Sequence, residues 1–471
     1  MRQVSRVLST YTADVSGVCS ALYEMGGMVI MHDASGCNST YNTHDEPRWY
    51  DMPSMVYVSG LSELEAVMGD DDKLLRDVER AAKELHPRFV AIAGTPIPMM
   101  MGTDFKGIAR LLEKRLGIPV FGFATNGTHS YVSGVGMALA QAAKRFCLPK
   151  EQLSGADGGQ QGALGKTADK GQQRTDAEAV GGTEKPCVNL LGVTPLDFSV
   201  TGNVEALKEA FQSAGYQVKS CWAMGSTFEE LIRAGEAQVN VAVSVSGIET
   251  AIVLQEMYGT PWVLGLPVGP ELTCRVLEAV DQAAATGKNQ LALEPGEHMV
   301  EKGQLPTSEQ DGYTKEKNVQ TVSETAAGRE IGKTERSQRQ TYIIGEWVWA
   351  MALRYSLITE YGYDRVSVIC PLESEELFAD RLLAGREERI PGVLAAATRA
   401  GAFLEDEDQI EERLKDAELV IADPIYRRAL PKDRTVDFME FPHEGYSGRI
   451  YRKDIPVFIG RQWNQWFENR E

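Results

Sequence analysis

A junction that recurs three times narrows the fold more than any other feature of this chain. Gly117-Ile118-Pro119-Val120, Gly259-Thr260-Pro261-Trp262 and Asp454-Ile455-Pro456-Val457 each follow a helix-like stretch and lead into apolar residues. A small or polar residue releases the helix. Proline then fixes φ and biases its predecessor toward extended backbone. Such stops suit a chain that winds repeatedly from helix into buried strand. One junction in each third of the chain predicts three related Rossmann-like layers of α/β type.

The pattern along the chain agrees with that division. Residues 1–150 read as a first domain, with 1–27 as an arm leading into it. In this domain Met28–Met31, Ser54–Val58, Phe89–Ala93 and Val120–Ala124 read as strands. Asp72–His86 reads as a helix, because Leu74, Leu75, Val78, Ala81, Ala82 and Leu85 share one face and Pro87 ends it. Residues 151–186 carry no aromatic side chain and read as a flexible insertion. A second domain spans 187–283, with strands at Cys187–Leu191, Val241–Val245 and Trp262–Leu264. Residues 284–338, whose only aromatic is Tyr313, read as a second, polar insertion. The third domain spans 339–471, with strands at Tyr342–Gly345, Val366–Ile369 and Leu419–Ala422 and a close at Ile455–Ile459.

Chemistry concentrates in Met28–Gly69. The strand Met28–Met31 breaks into His32-Asp33-Ala34-Ser35-Gly36-Cys37, a loop at a strand's carboxyl end, where open parallel sheets hold ligands. On those residues alone Cys37 is either a half-buried thiol or a functional one. The spaced set His32-x-x-Ser35-Gly36-Cys37, Tyr41-Asn42-x-His44-x-Glu46-Pro47 and Val58-Ser59-x-x-x-Glu63-x-x-Ala66-Val67-x-Gly69 resembles the amino-terminal domain of nitrogenase component 1 proteins. The version it resembles is the beta chain of the molybdenum–iron protein.

That resemblance implies three Rossmann-like doubly wound domains of the component 1 type. It also implies an iron–sulfur cluster ligated by Cys37 where two homologous subunits meet, in a homodimer or heterotetramer. Asp33, Ser35 and Gly36 would line the cluster site. Of three cysteine positions in the beta chain this sequence matches one; the others fall near Tyr11 or Thr12 and near Pro96. The implied group is therefore a smaller [4Fe–4S] cluster, with Cys37 and either Cys19 or Asp33 from each side. The ligand positions of the molybdenum cofactor fall near Val243 or Ser244 and near Tyr451, so no such cofactor is held in the alpha-chain manner. The implied function is a nitrogenase-like oxidoreductase component that accepts electrons from an ATP-dependent iron–sulfur reductase. A scaffold for metallocluster assembly and a cluster-free small-molecule binding protein are the alternatives.

Other motifs carry less. Gly165-Lys166-Thr167 and Gly332-Lys333-Thr334 end like phosphate loops but lack the first glycine and a preceding strand, so no nucleotide is expected on this chain. Gly134-Val135-Gly136 has Leu139 where a dinucleotide fingerprint needs its third glycine, and close helix packing explains it better. His44, His129 and His443 are candidates for proton delivery in the cleft. Met99-Met100-Met101 reads as core or interface. The formal net charge of −19 argues against nucleic acid and against anionic lipid. No apolar run is long enough to span a membrane, and the first residues lack the apolar heart of a signal peptide. Seven cysteines without a paired framework fit the cytoplasm.

Overall fold

A computed structural model describes residues 8, 12–34, 36, 46–153, 185–294, 336–385 and 387–471. The first unit contains α1 (Asp14–Leu22), β1 (Met28–His32), β2 (Met55–Val58), α2 (Glu63–Met68), α3 (Asp72–Leu85), β3 (Val90–Gly94), α4 (Pro96–Met101), α5 (Phe105–Leu116), β4 (Val120–Phe123) and α6 (Tyr131–Phe146). Its four strands are all parallel, in the order β2-β1-β3-β4. Alternate strand residues divide between two cores. Met28, Ile30, Val90 and Ile92 meet α3 and α5, whereas Val29, Met31, Ala91 and Ala93 meet α1 and α6.

The second unit contains β5 (Cys187–Val193), α7 (Asn203–Gln212), β6 (Gln217–Ala223), β7 (Val239–Ala242), α8 (Ile248–Tyr258), β8 (Trp262–Leu264), α9 (Gly269–Thr286) and β9 (Gln290–Leu291). Its parallel order is β6-β5-β7-β8-β9. The third contains β10 (Thr341–Ile344), α10 (Trp347–Tyr361), β11 (Val366–Cys370), α11 (Glu375–Leu382), the short hairpin β12 (Leu383–Ala384) and β13 (Glu387–Glu388), β14 (Gly401–Phe403), β15 (Leu419–Ala422), β16 (Asp437–Glu440) and α12 (Arg461–Glu468). Its order is β14-β11-β10-β15-β16. These are three Rossmann-like α/β layers. In each, chain direction across the sheet reverses beside the first strand, and it is at the strands' carboxyl ends beside such a reversal that open parallel sheets hold ligands.

Several expectations need correction. The stretch 1–27 is not simply an arm: Asp14–Leu22 is a helix with every residue buried. Two of the three junctions behave as read. Gly117 and Gly259 adopt φ of +71° and +77° and stop α5 and α8 before β4 and β8. The third does not lead into a strand. Asn203 holds that segment instead, donating from Nδ2 to the Pro456 carbonyl (3.0 Å) and accepting at Oδ1 from the Phe458 N–H (2.9 Å). Residues 454–458 therefore strap the third unit to the second. Strands β6, β9, β14 and β16 and the β12–β13 hairpin are additions to the sequence reading. α9 and β9 carry the second unit to Leu291, past the boundary read at 283. The remainder of the two insertions, residues 154–184 and 295–335, lies outside the described residues.

One close approach sets the relation between units. Helix α6 crosses α1 at two glycines: a Cβ on Gly17 would lie 2.3 Å from the Tyr131 carbonyl oxygen, and one on Gly134 only 1.9 Å from that of Asp14. The half-fingerprint glycine thus serves helix packing. On its other side α6 packs against α8 of the second unit, which brings Tyr131 to the seam.

Candidate functional site

Two places gather chemistry. The first is the carboxyl end of β1. His32 is buried, its Nδ1 2.9 Å from Ser59 Oγ beyond β2. Thr95, beyond β3, donates from Oγ1 to the His32 carbonyl and to Asp33 Oδ1, both at 2.9 Å. The Leu61 N–H donates to the Asp33 carbonyl at 2.7 Å. Both neighbouring strands thereby fix the chain where it leaves the sheet. Burial pushes the His32 imidazole down to about 4, so it stays neutral near pH 7, and its Nε2 is buried without a hydrogen bond.

Past this point the loop turns outward. Ala34 and Gly36 are exposed, and a Cβ on Gly36 would meet nothing within 4 Å. Ser35, Cys37 and His44 lie outside the described residues. The chain returns at Glu46, which is buried. Glu46 accepts from Ser20 Oγ (2.5 Å) and Arg48 Nε (2.6 Å). Arg48 also donates to Glu24 Oε1 (2.9 Å) and the Ser20 carbonyl (2.8 Å). A buried ion pair of this quality holds the loop's far end to α1, and removing one partner would strand a charge. Nothing in the sequence singles out Arg48.

Cys19 sits on that same helix with no exposed surface. Burial first, and the Glu46 charge second, push its thiol far up, so it packs as a small hydrophobe. Cys147 and Cys221 are also buried and pushed up to about 12, and buried Cys370 is raised well above the ordinary thiol value. Cys274 is exposed. Native protein treated with a maleimide is expected to label Cys274 and to spare Cys19, Cys147, Cys221 and Cys370 until denaturant is added. Peptide mass mapping reads this, and native labelling of Cys19 would contradict the geometry.

Beside the loop lies an apolar surface. On α2, Leu64, Val67 and Met68 are 72%, 78% and 71% exposed, and on the adjoining α4 Met99 and Met100 are 55% and 79% exposed. A cluster of large side chains left in water on a strongly acidic chain marks a contact surface.

The second place is the seam of the three units. Tyr131, after β4, donates from its hydroxyl to Asp197 Oδ1, after β5, at 2.5 Å. His443 Nε2 lies 3.5 Å from the same oxygen. His443 Nδ1 accepts from the Gly445 N–H at 3.2 Å, which places the proton of the neutral ring on Nε2. Asp197 Oδ2 and His443 Nε2 have no hydrogen-bond partner among the described residues, although both are buried. Glu346, after β10, accepts from the Val245 N–H (2.8 Å) and the Trp349 N–H (2.9 Å). Burial, then the Asp197 charge, push its carboxyl up to about 8. Asp423, after β15, accepts from the His443 N–H (2.8 Å) and Ser447 Oγ (2.7 Å), and burial raises it too. Glu444 is raised by burial and pairs with Arg452. These groups can hold and pass protons in an enclosed space.

Of the three histidine candidates, His443 is in this centre. His129 is half exposed, its Nδ1 3.7 Å from Asp14 Oδ2. Asp33 and Gly36 belong to the β1 loop. Tyr131, Asp197 and Glu346 are not among the residues the sequence reading selects. Asp197 and Glu346 lie within a few residues of the carboxyl ends of the internal strands β5 and β10, a signal that could have found them. Among the described residues no group of three or more His, Cys, Asp or Glu is arranged to hold a metal ion. No helix among them is long and apolar enough to cross a membrane.

Three doubly wound parallel layers that close a polar centre between them, with a clamped loop after the first strand, define a class of α/β protein built around its interdomain seam. The chain belongs to the nitrogenase component 1 type oxidoreductase family, whose model matches residues 14–415. It is 26% identical over 235 residues to a light-independent protochlorophyllide reductase polypeptide from Chlorobium luteolum, covering 50% of this chain and 42% of that one. With the nitrogenase iron-molybdenum cofactor biosynthesis protein NifE of Methanosarcina barkeri it shares 25% identity over 208 residues, 44% of this chain and 40% of that one. With the nitrogenase molybdenum-iron protein alpha chain of Methanosarcina barkeri it shares 22% over 218 residues, 46% and 35% of the two chains. The matches thus span well under two thirds of these relatives. A solved structure of nitrogenase Cp1 at pH 6.5 superposes over 100% of this chain and 94% of its own, with a TM-score of 0.60 at 14% identity. That likeness concerns the fold.

Proposed function

We propose that this chain is the substrate-reducing component of a nitrogenase-like oxidoreductase, fed with electrons by a separate ATP-dependent iron–sulfur reductase. One observation carries the reading. The clamped loop after β1, which continues to Cys37, opens beside the exposed apolar surface of α2 and α4. A redox group at that loop would sit next to a surface able to receive a homologous subunit or the reductase. The described residues do not complete a ligand set for a [4Fe–4S] cluster, since the Cys19 thiol is sealed in the core. Any such cluster would draw its further ligands from residues of this chain outside those described or from a partner subunit. In the seam, Tyr131, Asp197 and His443 would hold and deliver protons to a bound substrate.

The assembly-scaffold reading has its own support. Ser244, at one candidate position for the cofactor cysteine, is buried and donates from Oγ to the Gly192 carbonyl at 2.8 Å. A relative named as a cofactor biosynthesis protein points the same way. Turnover separates the two readings: a scaffold accepts and releases a cluster without reducing substrate.

Anaerobic purification followed by iron and acid-labile sulfide assays tests the shared premise. Brown protein carrying iron and sulfide, with both lost in Cys37→Ala while the melting curve is retained, is the expected result. Colourless, iron-free wild-type protein prepared from iron-replete cells would remove the electron-transfer role.

A further inference from the structure

Away from the seam, the first sheet ends in an open edge. Strand β4 pairs with β3 on one side only. The Val90 N–H donates to the Pro119 carbonyl and Val90 lies opposite Val120. In a parallel ladder the peptide groups of Val120 and Gly122 therefore point away from β3. The Val120 N–H is taken by Glu113 Oε2 at 3.0 Å. Gly122 has no such partner among the described residues. A groove of about 540 Å³ runs along this edge, walled by α5 on one side and reaching Gln141 of α6 on the other.

The α5 wall is basic. Lys106, Arg110 and Lys114 line the groove, are exposed, and have no ion-pair partner among the described residues. Among the described residues the one acid lining it is Glu113, already occupied by Arg145 Nη2 (2.9 Å) and by the Val120 amide. A free cationic stripe is out of keeping with a chain of net charge −19. Its spacing is also informative. Cations at every fourth helical residue recur at roughly 6 Å. Alternate side chains of an extended strand recur at roughly 6.8 Å.

We propose that this groove docks an extended acidic segment of a partner protein. The segment adds a strand to β4 through the peptide group of Gly122 and aligns alternate carboxylates with Lys106, Arg110 and Lys114. An unprotected sheet edge is a template for such pairing. Gly122 also explains the shape of the groove: a Cβ there would lie 2.1 Å from the Phe105 carbonyl oxygen and push the first turn of α5 outward.

The probe is a fluorescent heptapeptide of alternating glutamate and valine, titrated into the full-length protein at low salt. Saturable binding is expected. It should weaken at least tenfold when Lys106→Glu, Arg110→Glu and Lys114→Glu are combined, and at least fivefold when alternate peptide amides are N-methylated. Circular dichroism and melting curves identical to wild type certify that the triple variant folds. Absence of saturable binding would overturn the proposal. So would binding indifferent to N-methylation, or equal competition by inorganic tripolyphosphate and peptide, because the groove would then be only an anion trap.

Discussion

Gly134→Ala is expected to destabilise the protein by about 3 kcal/mol, the upper range for forcing an extra carbon into a close-packed interior. The new Cβ would lie 1.9 Å from the Asp14 carbonyl oxygen and 2.7 Å from its carbonyl carbon. Those atoms are backbone and cannot rotate away. Moving α1 instead would break the bonds that seat it. The Asp14 N–H donates to the His129 carbonyl at 2.9 Å, and its carboxylate accepts from the Asn126 and Gly127 N–H groups at 3.1 and 2.8 Å. Moving α6 would pull Tyr131 from Asp197. Alanine's better helix propensity recovers at most about 1 kcal/mol. Gly136→Ala is the control. The atoms nearest its Cβ would be those of the Glu249 side chain, the first at 3.2 Å, and a side-chain end can shift. Urea midpoints should place Gly136→Ala near wild type and Gly134→Ala well below it. Equal midpoints would mean the α1–α6 crossing is looser than described.

That pair of glycines also shows what can be read from a sequence and what cannot. Packing is the better reading of Gly134 because the fingerprint is incomplete, but α1 as its partner is invisible in the sequence. Met28–Met31 and Phe89–Ala93 announce themselves as strands because central parallel strands are buried on both faces and read as apolar runs; Val120–Ala124 reads the same way although β4 is an edge, because Val120, Phe121 and Phe123 are buried. Six strands escape: β12 and β13, which form a hairpin of two residues each, and four strands of the main sheets. β6 begins Gln217-Val218-Lys219, β14 is Gly401–Phe403, β16 is Asp437–Glu440 and β9 is two residues long. All four are sheet edges, where one side meets solvent and the apolar signature is diluted. The β1 loop is legible because its residues are neighbours in the chain. The seam is not, because Tyr131, Asp197, Glu346 and His443 come from separate stretches that only the fold unites. Their common property is positional: Asp197, Glu346 and Asp423 follow β5, β10 and β15 at sites where parallel sheets open.

Two buried carboxyls, Glu346 and Glu373, should give the protein a stability that falls as pH rises. Glu346 is pushed from 4.5 up to about 8, chiefly by burial and then by Asp197, and Glu373 up to about 7 by burial beside Arg381 and Glu249. Between the unfolded and folded values the native chain holds protons that the unfolded chain has released. Its stability is therefore complete below about pH 4.5 as far as these groups are concerned, and declines through pH 7 and 8. Other groups that feel Glu346 are Tyr131 and Cys370, both raised and neutral across this window. Asp197→Asn tests the origin of the upper part of the decline. The amide oxygen still accepts from the Tyr131 hydroxyl, while the charge facing Glu346 is gone. Urea midpoints are expected to be similar for the two proteins at pH 5. At pH 8.5 the variant should be more stable by on the order of 1–2 kcal/mol, at 1.36 kcal/mol per unit of pKa relieved. Parallel curves would show that burial alone raises Glu346. A variant less stable at every pH would show that the Asp197 charge is held by a favourable partner, with His443 Nε2, 3.5 Å away, the group placed to be that partner.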